Sequence, residues 1–330
     1  MRTVFLGTSA FAAAVLERLA SSEHRPALAL TRPDRPRGRG RKLGAPPVAQ
    51  AARRLGIALE QPQSVNEPPA RELIARAEPD VVIVCAFGAL ITEPLLSEHE
   101  LLNVHPSLLP RWRGAAPVER AIMAGDECTG VSIMRLTAGL DSGPVCLAEQ
   151  AAIERLSDTY GLLAERLQTL GGELIVRVLD LIAHGEPPEF VEQNERGVTY
   201  AEKIGSEDRL LDPARPAEEL ERVVRALHPH VGARVGLADG TTLGVHRAAL
   251  ADASTNDAPP ESAADAGEEE GGLEASTSGG GSGLGVIVRD GRLLLDCTPG
   301  TLELLEVQPP GGRAMDAAAY LRGHGLLGRR

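Results

Sequence analysis

The chain has 330 residues, of which 43% are hydrophobic and only 2% aromatic, which predicts two domains with ordinary packed cores. Its net charge of -12, taken alone, argues against nucleic-acid binding, because phosphates attract Lys and Arg. The charge is unevenly spread, however. Nine basic residues and one acid lie between Arg25 and Arg54, whereas eight acids and no base lie between Ala251 and Gly285.

The first part of the chain alternates strand-like and helix-like segments. Strands are predicted at residues 3–6, 27–30, 80–85, 101–104, 130–136 and 144–150. Helices are predicted at residues 11–19, 48–55, 70–77, 117–124 and 158–183, the last disturbed at Gly171-Gly172. Segment 80–85 is continuously apolar, as expected for a parallel strand that is covered on both faces. The pattern predicts an α/β fold with a doubly wound sheet.

The chain changes character after Gly185. Residues 186–203 carry Pro187-Pro188 and many polar side chains, which is typical of a connector. A helix at 217–227 and a closing helix at 314–321 then enclose predicted strands at 233–237, 242–246, 285–288, 292–296 and 302–307. Two turn dipeptides, Asp239-Gly240 and Asp290-Gly291, indicate hairpins, so a small β-barrel is predicted. The Ala/Gly/Ser/Glu-rich tract 251–285 interrupts it and is predicted to be a disordered loop.

Several functional classes are disfavoured. The four cysteines are far apart and lack a Cys-x-x-Cys pair, so neither a disulfide framework nor a zinc site is expected. No apolar run approaches the ~18 residues of a membrane helix, and the N-terminus lacks a signal-peptide layout, so we expect a cytoplasmic protein without membrane attachment. The Gly7-Thr8-Ser9 turn lacks a full dinucleotide fingerprint, so NAD is not expected.

Polar side chains at two predicted strand ends have the chemistry of acyl transfer. Asn103 and His105 are spaced i, i+2 on an extended segment and therefore face the same side, and Pro106 favours extended backbone at His105. Asp141 follows 36 residues after the His, in Leu140-Asp141-Ser142-Gly143. An amide can stabilise an oxyanion and an imidazole can move a proton. Asp141 can orient the imidazole, stabilise its charged form or act through a water.

Each of these residues alone has a common structural role, as a cap, a surface histidine or a turn former. The ordered combination within a doubly wound pattern favours catalysis. In such a sheet the carboxyl ends of the strands form a crevice where ligands bind. The sequence therefore predicts acyl transfer to an amine in that crevice.

Several motifs resemble those of the folate-dependent formyltransferases. The longest is NVHPSLLPRWRG at 103–114, and the others lie at 5–8, 129–134, 139–143 and 199–203. The resemblance covers nearly the whole chain apart from 251–285. It implies a Rossmann-like catalytic domain at 1–185, a linker at 186–206 and an OB-like, tRNA-binding barrel at 207–330. Pro106 and Ser9-Ala10 depart from the family pattern, and neither removes one of the three chemical groups.

The resemblance also implies an activity and its residues. The expected reaction transfers the formyl group of 10-formyltetrahydrofolate, a co-substrate, to the α-amino group of methionine on initiator tRNA, without a metal. The catalytic residues of the family fall on Asn103, His105 and Asp141. Its folate-contacting segment falls on Ser107, Leu108, Leu109 and Pro110. The two leucines can flank a flat pterin while loop backbone groups bond its polar edge.

A basic, Gly/Pro-rich loop follows the second predicted strand, and its charged side chains are Arg35, Arg37, Arg39, Arg41 and Lys42. Guanidinium groups bind phosphates well, although an isolated charged loop is usually just solvated. The resemblance favours a role in engaging the acceptor arm of tRNA, with Arg39 matching the loop arginine of the family. Six residues of the second domain could form a further tRNA surface, but an interpretation as ordinary exposed charges is equally good. They are Arg222, Arg225, His228, His230, Arg234 and Arg247.

Two alternatives stay open from the residues alone. One is a related folate-dependent enzyme that formylates a small amine, such as glycinamide ribonucleotide or an amino sugar. It would share the chemistry, but it would not need the basic loop or the barrel. The other is a non-catalytic folate- or RNA-binding module, against which the complete Asn103, His105 and Asp141 set argues. A monomer is expected.

Overall fold

The computed structural model describes residues 1–37, 42–251 and 285–324. Two units divide the chain: Met1–Ser206 together with Arg225–Val231, and Glu207–Val224 together with Gly232–Arg330. The predicted linker at 186–206 therefore belongs to the first unit. The interior of the predicted disordered loop, 252–284, lies outside the described residues, so disorder there stays a prediction.

The first unit alternates strands and helices, as predicted. Its elements are β1 (Thr3–Gly7), α1 (Ala10–Ala20), β2 (Pro26–Leu30), β3 (Arg35–Arg37), β4 (Lys42–Gly44), α2 (Pro47–Leu55), β5 (Ala58–Glu60), α3 (Pro68–Arg76), β6 (Val81–Cys85), α4 (Leu95–Glu98), β7 (Leu101–His105), β8 (Arg113–Gly114), α5 (Pro117–Ala124), β9 (Cys128–Arg135), β10 (Val145–Ala152), α6 (Tyr160–Ala183) and β11 (Tyr200–Ala201). The elements that sequence did not predict span two to four residues, too few to show a periodicity.

The predicted disturbance in α6 is wrong, because the helix runs unbroken through its two glycines. A Cβ on Gly171 would lie 2.9 Å from Cγ1 of Val104, and one on Gly172 would lie 2.9 Å from Cβ of Arg18. The glycines therefore admit the close approach of β7 and α1. The helix retains its hydrogen bonds, so the missing side chains serve packing.

Seven strands form the main sheet in the order β10-β9-β7-β6-β1-β2-β5. The strands from β7 to β5 run parallel, whereas β9 and β10 are antiparallel additions at one end. β1 pairs with β2 on one side and with β6 on the other, so the strand order reverses between β1 and β6. This reversal opens a crevice at the carboxyl ends of the strands.

Both faces of the central strands are covered, as the continuous apolar segment predicts. Phe5 and Ile83 pack into one apolar cluster, whereas Leu6 and Val84 pack into another. Successive side chains of a strand point to opposite faces, so the two clusters lie on opposite sides of the sheet. The predicted doubly wound α/β fold is confirmed.

The second unit is the predicted β domain. Its elements are α7 (Ala217–Leu227), which runs on into the first unit, then β12 (Ala233–Gly236), β13 (Thr242–Leu250), β14 (Val286–Arg289), β15 (Arg292–Asp296), β16 (Thr301–Gln308), β17 (Met315–Asp316) and α8 (Ala317–His324). The strands pair antiparallel in the order β12-β13-β16-β15-β14, and β17 adds to β16. Asp290 and Gly291 have φ angles of 52° and 73°, which is the backbone of a type I′ hairpin turn. The predicted hairpin at Asp290-Gly291 is confirmed.

Helix α6 has 24 residues, but neither it nor any other helix in the described ranges is both long and apolar enough to span a membrane.

Candidate active site

Asn103 and His105 lie on β7, inside the sheet. β7 pairs with β6 on one side and with β9 on the other. Asn103 lies opposite Val84 of β6 and Met134 of β9. Asn103 is 8% exposed and His105 4% exposed. The parallel partner β6 ends at Cys85, so the two polar side chains open onto the crevice beside the β1–β6 reversal.

Asp141 meets both of these side chains. Its Oδ1 lies 3.5 Å from Nδ2 of Asn103, and its Oδ2 lies 3.8 Å from Nδ1 of His105. The main-chain N–H of Gly114 donates to Oδ2 over 2.8 Å. The φ of Asp141 is 44°, a left-handed value that L-residues rarely adopt, so surrounding contacts must hold this turn. The structure brings the three residues predicted to be catalytic together around one carboxylate.

The orientation of the His105 ring follows from its second contact. Nε2 lies 2.9 Å from the carbonyl oxygen of Trp112. A carbonyl oxygen can only accept a hydrogen bond, so Nε2 carries the hydrogen. Nδ1, which faces Asp141, is therefore the nitrogen without a hydrogen in the neutral ring.

The segment predicted to contact folate forms the turn after β7. The hydroxyl of Ser107 is wholly buried and donates to the carbonyl of Arg111 over 2.6 Å. Ser132 donates to the carbonyl of Ser107 and accepts from the N–H of Leu109. In this conformation Ser107 shapes the loop and its hydroxyl faces inward. Leu108, Leu109 and Pro110 are half-buried, and a Cβ on Gly130 would lie 2.6 Å from Leu108, so Gly130 makes room for that leucine.

Asp126 fixes the rest of this loop. Its carboxylate accepts two hydrogen bonds from Arg111, of 2.8 and 2.6 Å, and one of 2.8 Å from the indole N–H of Trp112. The Asp126 carboxylate raises the pKa of Arg111 above its ordinary value. The guanidinium also lies 4.4 Å from the centre of the Trp112 ring. The loop that contacts His105 through Trp112 is therefore held by charged and ring contacts.

Sequence reasoning missed the residues that hold Asp141 from behind. Gln193 donates to the carbonyls of Asp141 and Gly143, and Arg113 donates to Gln193. β11 pairs with β8, and Thr199 accepts from the N–H of Trp112. A polar segment without periodicity carries no sequence signal for such contacts, apart from its resemblance to the family motif at 199–203.

The residues at the two ends of the predicted basic loop pair with each other as strands β3 and β4. β3 and β4 pair antiparallel, with Arg35 opposite Gly44 and Arg37 opposite Lys42. Arg35 is exposed. Arg39 and Arg41 lie outside the described residues, and so do the side chains of Arg37 and Lys42. The described part is the paired stem that precedes and follows residues 38–41 in the chain.

Among the residues of the second candidate tRNA surface, Arg225 is buried. Arg225 is 9% exposed, and its Nη1 donates to the carbonyl of Asp158 over 2.8 Å. His230 lies 2.9 Å from Oε1 of Glu119 and stacks on Tyr160. Arg225 is therefore a packing residue of the first unit, whereas Arg234 and Arg247 are exposed.

Cys85 ends β6, the strand next to β7. Burial raises the pKa of the Cys85 thiol above its ordinary value, which keeps it protonated and poorly nucleophilic. Among the residues that the structure describes, no group of three or more His, Cys, Asp or Glu side chains could hold a metal ion.

Comparison with known proteins shows the family. Residues 1–179 match the description "Formyl transferase", and residues 203–325 match "Formyl transferase, C-terminal domain". A methionyl-tRNA formyltransferase from Methylococcus capsulatus is 40% identical over 332 residues, covering 100% of this chain and 99% of that protein. One from Halorhodospira halophila is 40% identical over 329 residues, covering 99% of this chain and 97% of that protein.

Solved structures share the fold at lower identity. The crystal structure of HypX from Aquifex aeolicus in complex with tetrahydrofolic acid superposes with a TM-score of 0.62 at 16% identity. The match covers 99% of this chain and 48% of HypX, so this chain spans about half the length of that protein.

Proposed function

The chain belongs to the formyl transferase family, and we propose that it transfers the formyl group of 10-formyltetrahydrofolate to the α-amino group of methionine on initiator tRNA. The observation that carries the chemistry is the convergence of Asn103, His105 and Asp141 at the end of β7, with both Asp141 oxygens within 4 Å of the other two side chains. The products are formylmethionyl-tRNA for translation initiation and tetrahydrofolate. We expect the enzyme to act in the cytoplasm as a monomer.

The reaction needs one bond made, one bond broken and one proton moved. The lone pair of the neutral amine attacks the formyl carbon, and the C=O π pair moves to oxygen. The oxyanion then re-forms the carbonyl and expels N10 of the folate with the C–N bond pair. The attacking nitrogen loses one proton, and N10 gains one. A catalyst therefore needs an oxyanion donor and a group that shuttles a proton.

The three residues supply those functions. The amide of Asn103 has two N–H groups, of which one points to Asp141 and the other is left for the oxyanion. Nδ1 of His105 takes the proton from the amine, because Nε2 is held by Trp112. Asp141 stabilises the imidazolium that forms, since its Oδ2 is 3.8 Å from Nδ1. The low exposure of the site strengthens each of these interactions.

Folate binding rests on the loops at this edge of the sheet. Leu108, Leu109 and Pro110 offer apolar surface for the pterin, and backbone groups of the loop offer hydrogen bonds for its polar edge. Leu140, directly before Asp141, is 60% exposed and adds apolar surface beside the carboxylate. Ser107 contributes by holding the loop in shape.

The basic hairpin favours tRNA over a small amine as substrate. Arg35 and Arg37 lie on β3 and Lys42 lies on β4, and Arg39 and Arg41 fall between them in the sequence. Guanidinium and ammonium groups can contact phosphates. A small amine lacks a repeating phosphate backbone for that hairpin to contact. The full-length relatives named methionyl-tRNA formyltransferase support the same choice.

The test is transfer of labelled formyl from 10-formyltetrahydrofolate to several amines in parallel. We expect rapid transfer to charged initiator tRNA and slow transfer to charged elongator tRNA. Faster transfer to glycinamide ribonucleotide or to an amino sugar would replace the proposed substrate. Absence of transfer to any of them, with folate or RNA still bound, would indicate a non-catalytic binding module.

A further inference from the structure

The turn that carries Asp141 is held from its outer side by Gln193. The side-chain Nε2 of Gln193 donates to the carbonyl of Asp141 over 2.8 Å and to the carbonyl of Gly143 over 2.7 Å. Both hydrogens of this amide are thereby used, one on each carbonyl. Gln193 lies in the polar segment between the two family matches, in which sequence patterns indicate only a connector.

The amide of Gln193 is oriented by a buried arginine. Nε of Arg113 donates to Oε1 of Gln193 over 2.9 Å, and Nη2 donates to Glu195 over 3.0 Å. A guanidinium can only donate, so the amide oxygen must face Arg113 and the amide nitrogen must face the two carbonyls. The side chain of Arg113 is 4% exposed, whereas that of Glu195 is 77% exposed. The guanidinium is therefore screened from water at the end that meets Gln193.

The same stretch of chain holds the other end of Asp141. Gly114, next to Arg113, donates its main-chain N–H to Oδ2 of Asp141. The side chain of Asp141 is thus held by the main chain of Gly114. The carbonyl of Asp141 is held by Gln193, and Arg113 orients Gln193. The closed set of contacts holds the left-handed backbone of Asp141, a conformation that L-residues rarely adopt.

We propose that Gln193 and Arg113 are positioning residues that set the distance and angle of the Asp141 carboxylate to His105 and Asn103. This inference rests on the proposed function, because it assumes that Asp141 acts in formyl transfer. A shift of about 1 Å in a catalytic group can lower a rate by ~100-fold. Loss of the Gln193 contacts therefore lowers kcat, while the KM for tRNA stays near that of the wild type.

The primary variant is Gln193→Met, which keeps the length of the side chain and removes both donors. Gln193→Glu is the second variant, since it retains an acceptor for Arg113 and turns an acceptor toward the two carbonyls. Gln150→Met, at an exposed glutamine of β10, is the matched control. We expect a fall in kcat of about 10- to 100-fold for both Gln193 variants, a larger fall for Glu than for Met, and no change for the control.

A double-mutant comparison separates positioning from general structural support. Gln193→Met is combined with Asp141→Asn, and kcat is measured per folded molecule. If Gln193 acts through Asp141, its replacement costs little once the carboxylate is gone, so the two losses are far from additive. Equal losses in both backgrounds, or an unchanged kcat in Gln193→Met, would overturn the proposal.

Failure of the proposed function has a different signature. Wild-type rates in Asp141→Asn alone would remove Asp141 from the reaction, whatever Gln193 does. The pH profile of kcat adds a readout that lower stability alone does not move. A displaced carboxylate changes the contact between Oδ2 of Asp141 and Nδ1 of His105, so we expect the profile of Gln193→Met to differ from that of Gln150→Met. Superimposable profiles would contradict the positioning role.

Discussion

The main-chain N–H of Gly114 donates to Oδ2 of Asp141, the oxygen that faces Nδ1 of His105. This contact ties the loop after β7 to the turn after β9, so the two segments that carry the site do not move independently. Asn103 and His105 are fixed by the sheet itself. The carboxylate depends on backbone contacts from distant parts of the sequence.

Replacement of the groups on β7 should abolish most turnover. We expect His105→Ala to lower kcat by ~100- to 10,000-fold, because a proton shuttle is lost. Asn103→Ala should lower it by ~100- to 1,000-fold, as for loss of one oxyanion donor. The measurement is labelled-formyl transfer to charged initiator tRNA. His184→Ala, at an exposed histidine that ends α6, serves as the control and should retain the wild-type rate. Full activity of His105→Ala would remove the imidazole from the mechanism.

A side chain at Gly114 should damage both stability and the site. Gly114 has a φ of 124°, and a Cβ there would lie 2.7 Å from the carbonyl oxygen of Ala201. We expect Gly114→Ala to lower the free energy of unfolding by at least ~1–3 kcal/mol, from backbone strain alone, and to lower kcat as the N–H moves away from Asp141. Denaturant midpoints and formyl-transfer rates measure the two effects.

Gly185→Ala separates strain from the steric contact. Gly185 also has a positive φ, of 79°, but a Cβ there would meet nothing within 4 Å. This variant should lose on the order of 1 kcal/mol of stability while its kcat is unchanged. A kcat loss equal to that of Gly114→Ala would show that the effect does not depend on the contact with Asp141.

The basic hairpin should govern the salt dependence of tRNA use. Arg39→Ala and Arg35→Ala should raise the KM for tRNA more than that for folate. Each lost phosphate contact should reduce the slope of log affinity against log salt by about 1. Filter binding at several salt concentrations gives the slope. Arg155→Ala, at an exposed arginine between β10 and α6, is the control. An unchanged slope with full activity would exclude the hairpin from tRNA binding.

Stability at alkaline pH should depend on Tyr160. Burial, aided by the charge of Glu119, raises the pKa of Tyr160 to about 12 from its ordinary value of 10.0. The folded state therefore binds the phenolic proton more tightly than the unfolded state. The stabilisation is complete below pH 10 and is lost as the pH rises toward 12. By pH 11 the loss amounts to about 1 kcal/mol.

Urea unfolding at several pH values tests this dependence. Between pH 9 and 11 the wild type should lose stability faster than Tyr160→Phe, which has no phenolic proton. Tyr200→Phe, at a tyrosine that is 59% exposed, is the control and should follow the wild type. Parallel curves for wild type and Tyr160→Phe would contradict the raised pKa.

Sequence patterns predicted the sheet and its catalytic groups better than the residues that hold those groups in place. Runs and repeats of apolar residues located the segments that became β1, β6, β7 and α6, because buried elements concentrate apolar side chains. The spacing of Asn103 and His105 predicted their shared face, since a strand alternates sides. The role of Gln193 could not be predicted, because a single polar residue in a polar segment has no sequence signal for its tertiary contacts. The inward direction of the Ser107 hydroxyl could not be predicted for the same reason.

The pairing of β11 with β8 also bears on recombination between relatives. A chimaera joined near Gly185, where composition changes, would combine the Asp141 turn of one parent with the Gln193 and Thr199 of another. A junction after Ser206 keeps those groups from a single parent. The short segment that separates the two family matches is therefore best inherited with the catalytic half.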